Sequence, residues 1–92
     1  NHALTCNFIG YLLLTMNRPP NEALIYIEKA LSMEPENPAF LDSMGWALYK
    51  KGNFQEAKLY LEQASRFSDS LEIREHLSAV QEALEKKKSS SK

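Results

Sequence analysis

The sequence predicts an all-α chain: a short solenoid of two antiparallel helical hairpins and a single closing helix, five helices in all. Three observations carry this. Apolar residues recur at the three-and-four spacing of one helix face, as in Leu41, Met44 and Leu48, a face that Lys51 continues, and again in Ala57, Leu61 and Ala64. Turn residues, Gly52-Asn53 among them, separate these stretches. The pattern also repeats. A shift of thirty-four places Ala23 on Ala57, Ile27 on Leu61 and Ala30 on Ala64, and a shift of thirty-five places Cys6-x-x-Ile9-Gly10-x-x-Leu13 on Leu41-x-x-Met44-Gly45-x-x-Leu48. A unit this small cannot close a core alone and must stack on a copy of itself.

The first helix is expected from about Ala3 to Met16. Leu4, Phe8, Ile9, Tyr11, Leu12, Leu13, Leu14 and Met16 cover most of its circumference, which marks burial on more than one side. With nothing in the sequence to cover Leu4, Phe8 and Leu12, these form an expected exposed apolar face that meets upstream repeats or another chain; a monomer tolerating an oily end is the plainer reading. Pro19 and Pro20 close the first turn and open the second helix, where a missing amide hydrogen costs nothing. That helix runs through Ala23, Leu24, Ile27, Ala30 and Leu31 and stops at Met33-Glu34-Pro35. Asn37 caps the third helix and Pro38 begins it. Gly52 ends it, and Asn53 is expected to cap the fourth. The fourth carries Phe54, Ala57, Leu61 and Ala64 to about Phe67. Gly45 and Ala57 lie where these two helices face each other, so they are expected to cross closely. Asp69 and Glu72 have capping-box spacing and predict a fifth helix from about Ser70 to Lys87. Its stripe, Ile73, Leu77, Val80 and Leu84, is narrow and the rest is polar, as suits the end of a stack. The units are thus 3–36, 38–69 and a capping helix over 70–87, with a tail over 88–92 expected to be disordered for want of core residues.

Composition excludes several classes of function. With 92 residues, 43% apolar and 25% charged, the chain has an ordinary single-domain composition. A net charge of −1 gives no electrostatic reason for nucleic acid, and no apolar run is long enough to span a bilayer. One cysteine cannot form an internal bridge, and no targeting pattern fixes a compartment. Cys6 falls on a packing stripe and reads as a small core residue. His76 shares a helix face with Glu72, four residues away, which reads as a surface pair; a metal site wants three or four converging ligands. No acid, base and nucleophile converge, so no catalytic, cofactor or metal residues are expected and the chain reads as a non-enzyme.

These repeats resemble the tetratricopeptide repeat, a family with a unit of about 34 residues and the pattern W-x-x-L-G-x-x-Y…A-x-x-x-F…P. The Gly and Ala positions match in both copies. Cys6 and Leu41 replace the first aromatic; Leu13, Leu48, Ile27 and Leu61 replace later ones; Pro35 is kept and Asp69 stands in the second closing position. The wording of Leu41–Tyr49 is most like bacterial members. The resemblance implies a scaffold or adaptor whose concave groove, lined by the first helix of each unit, takes a protein segment. It places Leu4, Asn7, Phe8, Tyr11, Leu14 and Thr15 there, then Ala39, Asp42, Ser43, Trp46, Tyr49 and Lys50, then Glu72, Glu75, His76, Ala79, Glu82 and Ala83. Asn7, Tyr11, Asp42, Trp46, Tyr49, Glu72 and Glu75 are the expected partner contacts. Chaperone-binding members clamp a terminal carboxylate with Lys, Arg and Asn. Only Asn7 matches; Asp42 and the glutamates would repel such a ligand. The expected partner therefore has an apolar or aromatic anchor near a Lys or Arg. Two other readings stay open. The apolar first helix could drive homodimerisation, or the chain could be the regulatory part of a larger protein whose activity lies elsewhere. Trp46 and Tyr49 could also be packing residues between neighbouring units.

Overall fold

The computed structural model describes residues 1–90, and these form five helices with no strand: α1 (His2–Thr15), α2 (Pro20–Met33), α3 (Pro38–Lys51), α4 (Phe54–Phe67) and α5 (Leu71–Ser90). Each helix packs on the next in sequence, and α3 also touches α1 and α5. Two layers result, with α1, α3 and α5 in one and α2 and α4 in the other. The molecule measures 47 × 28 × 19 Å along its principal axes.

Within each hairpin the closest approach is at a glycine. A Cβ on Gly10 would lie 2.6 Å from Ile27 Cγ1 and 3.0 Å from the Ala23 carbonyl oxygen; on Gly45 it would lie 2.6 Å from Leu61 Cγ and 3.1 Å from the Ala57 carbonyl oxygen. The neighbours are themselves thirty-four apart in sequence, so both copies cross in the same way. Leu14, Ala23, Leu24, Ile27, Met44, Ala47, Leu48, Ala57, Leu61 and Val80 merge into one buried cluster running through all five helices.

The helix ends mostly follow local chemistry. Asn1 and Asn37 each accept two backbone N–H bonds at the starts of α1 and α3. Gly52 adopts φ +93, which brings the Asn53 N–H to the Leu48 carbonyl at 2.9 Å. Asn17, with φ +57, does the same for α1: Arg18 N–H reaches the Leu13 carbonyl at 3.0 Å. Asparagine tolerates this region better than most residues.

Three local expectations are corrected. Asn53 precedes α4 but makes no side-chain cap bond. Asp69 does not close a capping box, because α5 begins two residues later, at Leu71; its carboxylate lies 3.3 Å from Arg74 Nε, and Glu72 is engaged elsewhere. The fifth helix continues past Lys87 to Ser90, consistent with the helix preference of lysine and its favourable place at a C-terminus. The tail expected to be disordered, 88–92, therefore starts inside a helix, and residues 91 and 92 lie outside the described residues.

Candidate functional site

The layer of α1, α3 and α5 carries five of the chain's nine Phe, Trp and Tyr side chains and five of its twelve Asp and Glu. On α3, Asp42, Trp46 and Tyr49 follow one another at spacings of four and three and so share a side. Trp46 stacks on His76 of α5, with centroids 4.0 Å apart and planes at 15°, and on Tyr49 at 4.6 Å and 13°. Tyr49 in turn tilts against Phe54, at 5.6 Å. Lys50 holds its Nζ 5.4 Å from the Trp46 ring centre, within cation–π range. Trp46 and Tyr49 are half-buried and pack against the main core cluster, so each has one part inside the fold and one part at the surface.

Asp42 is not the open groove charge that the sequence suggests. Its side chain is buried, and Oδ1 accepts from His76 Nδ1–H at 2.8 Å. A carboxylate removed from water needs such a donor. His76 does not pair with Glu72, as its spacing suggested. The two buried partners are thirty-four residues apart, one repeat length, and that offset is the signal by which the pair could have been found. Ser43 and Leu14, also expected in the groove, are buried in the interior.

Glu72 is held instead by α1. Tyr11 Oη donates to Glu72 Oε2 at 3.2 Å, a link across α3 between helices sixty-one residues apart. The Tyr11 phenol is pushed up to about 12 from 10.0, first by burial, then by the Glu72 charge and its hydrogen bond, and lastly by Asp42. Asn7, one turn before Tyr11, is half-buried, and its Oδ1 is a buried acceptor without a hydrogen-bond partner. Glu72 and Glu75 are exposed. Of the seven expected contacts, Tyr11 and Glu72 are joined directly, Trp46 and Tyr49 are joined by stacking, and Asp42 lies beneath them on His76. Leu4, Phe8 and Leu12 are all exposed on α1.

The chemistry available is that of contact. Among the described residues no group of three or more His, Cys, Asp or Glu is placed to hold a metal, and no helix is long and apolar enough to cross a membrane. Cys6 is buried with Ala3, Ala30 and Phe40. His2 Nε2 is 3.8 Å from Cys6 Sγ, one helical turn away.

The family model for the tetratricopeptide repeat matches residues 3–37 and 40–69, the two hairpins and little else. A TPR repeat-containing protein of Pseudomonas aeruginosa is 38% identical over 77 residues, which are 84% of this chain and 13% of that relative. The chain thus spans a small part of the length of the relative it matches. Matched on both hairpins, each with its crossing glycine, it belongs to the tetratricopeptide-repeat family.

Proposed function

We propose that the face of α1, α3 and α5 receives a protein segment carrying an apolar or aromatic anchor beside a Lys or Arg. Repeats of this family mediate protein–protein interaction and are typically scaffolds without catalytic activity. The observation that carries the finer reading is the half-exposed Trp46, stacked on Tyr49 and His76, with the exposed carboxylates of Glu72 and Glu75 on the neighbouring helix. A rigid aromatic platform costs little entropy to present, and Trp and Tyr dominate contact energies in interfaces. The acidic residues select a basic neighbour and repel a terminal carboxylate. Nothing in this face supplies a nucleophile with its base, so we read the chain itself as non-catalytic.

The test is selection of a random peptide library displayed against the protein. Enrichment of sequences with an aromatic or large aliphatic residue within a few positions of Lys or Arg is expected. Because Trp46 also packs on His76, its removal tests folding and binding together. The cleaner variant is the double change Glu72→Lys and Glu75→Lys, both on exposed side chains. It should weaken the selected peptides about tenfold or more and leave the melting temperature within a few degrees. Trp46→Ala should weaken them about thirtyfold. Peptides indifferent to both changes would sink the proposal.

A further inference from the structure

Helices α1, α3 and α5 occupy equivalent places, and the contact of α3 with α5 is the second copy of the contact of α1 with α3. Shifts of thirty-five and thirty-three residues align the three helices. They put Asn7 in the place of Asp42, Tyr11 in that of Trp46 and Ser43 in that of His76. The first contact therefore has a neutral pair, Asn7 and Ser43, where the second has a carboxylate and an imidazole. Asp42 and His76 are 2% and 8% exposed, and Asp42 Oδ1 accepts from His76 Nδ1–H at 2.8 Å. Groups this deep lose their hydration. Replacing such a pair by apolar side chains of similar volume is often neutral or stabilising. The first contact forms without one: Asn7 Oδ1 is buried and has no hydrogen-bond partner. Stacking one unit on the next does not require the pair.

What the second contact has and the first lacks is an indole. Trp46 lies on the His76 ring, with centroids 4.0 Å apart and planes at 15°. Its other neighbours, the stacked Tyr49 and the cation of Lys50, come from its own helix. They cannot tie the indole to the next helix. Among the described residues His76 is the ring contact of Trp46 that comes from another element. An imidazole turns readily about its Cβ–Cγ bond, and the bond to Asp42 sets its plane. Tyr11, in the place of Trp46 on α1, stacks on no ring among the described residues and is held by Glu72 instead.

We propose, on the reading of this face as a partner groove, that Asp42 and His76 are positioning residues for Trp46. Asp42 fixes the plane of the imidazole, and the imidazole fixes the indole. The partner then meets a ring already in its bound orientation. Asp42 acts from the interior, through His76 and not by contact with the partner. Ordering a side chain in advance removes that entropy loss from the binding step.

Trp46 is the chain's only tryptophan, so nitrogen relaxation of the indole N–H reads this ring alone, with no partner present. In the unaltered chain its order parameter should be about 0.85. Asp42→Leu combined with His76→Phe keeps the branching and the ring but removes the bond. The melting temperature should stay within a few degrees, while the order parameter falls below about 0.6. Asp42→Asn keeps an acceptor for Nδ1–H and should keep the ring ordered. Peptides selected on the unaltered chain should bind the double variant about fivefold more weakly, and Asp42→Asn with little change. Should the double variant fail to fold, Asp42→Asn with His76→Ser installs the pair of the first contact and should free the ring as well. An indole equally ordered without the bond would overturn the proposal and leave the groove reading intact. So would a freed indole that binds as tightly as before, where the same peptides still respond to Glu72→Lys with Glu75→Lys. Peptides indifferent to those charges too would end the groove reading itself, and the positioning role with it.

Discussion

At the downstream end of the stack, α5 places Arg74, Ser78 and Gln81 where α3 places Leu41, Gly45 and Leu48, and all three are exposed. At the upstream end, α1 keeps its crossing glycine and its partner helix but leaves Leu4, Phe8 and Leu12 in the open. On α5 the positions that match the α3 crossing are polar and exposed; on α1 an apolar stripe is exposed. A repeat stack grows only where a helix offers apolar neighbours and room for close approach. We propose that polar substitution at these few positions lets α5 act as a capping helix. The rest of α5 did not need to change, since Ile73, Leu77 and Val80 still serve the second hairpin as Phe40, Met44 and Ala47 serve the first.

The largest expected effect comes from filling the same repeat position in a crossed and an uncrossed helix. A Cβ on Gly45 already meets Leu61 at 2.6 Å and the Ala57 backbone at 3.1 Å. Gly45→Val should therefore lower unfolding free energy by about 3 kcal/mol, in the upper range for an overpacked core. Ser78→Val, exposed on α5, should change it by no more than about 0.5 kcal/mol. Urea denaturation of both variants gives the difference directly. Equal losses would mean that α5 is crossed in solution by something else, and the contrast between the ends would fall.

A smaller effect separates the covered stripe from the open one. Val80 is fully buried in the core cluster, and its counterpart Leu12 is half exposed. Val80→Ala removes two buried methyl groups and should cost about 2 kcal/mol. Leu12→Ala removes more carbon but less buried area, and about 1 kcal/mol or less is expected. If Leu12→Ala proves the costlier, the upstream stripe is covered in the isolated chain, and self-association becomes the first explanation to examine by light scattering.

Much of this architecture was legible in the residues. The offset between Gly10 and Gly45, with Ala23 and Ala57 beside them, gave both hairpin crossings. The prolines and Gly52 gave helix ends to within a residue or two. What escaped were contacts between different units in the same layer. Asp42 and His76, or Tyr11 and Glu72, lie on helices that never pair within one hairpin, so helix periodicity alone cannot bring them together. Local rules also misread two termini. Asp69 and Glu72 have capping spacing, but α5 starts too late to use it. The lysines after Glu85 carry no core residue, yet they extend a helix because their own preference and the macrodipole both favour it. Asn17 escaped as a left-handed residue, although it falls on Gly52 under the thirty-five-residue shift.

The finest effect concerns the bond that joins the two ends. Tyr11 of α1 donates to Glu72 of α5 over the top of α3, and its phenol is raised to about 12. A group that binds its proton more tightly when folded stabilises the fold fully below its unfolded value, near 10. That contribution declines as pH climbs from about 10 to about 12. Because the pair is partly exposed, solvent screening should hold it below about 1 kcal/mol. Glu72→Gln removes the charge but not the burial, which is the larger cause, so the Tyr11 titration should fall only part of the way back towards 10. Ring-carbon NMR of Tyr11 across this range follows it, with Tyr11→Phe fixing the assignment. The pH-dependent loss of stability should shrink in step. An unshifted titration in Glu72→Gln would show that the ends of the stack are not coupled through this bond, and that α5 holds its place by Ile73, Leu77 and Val80 alone.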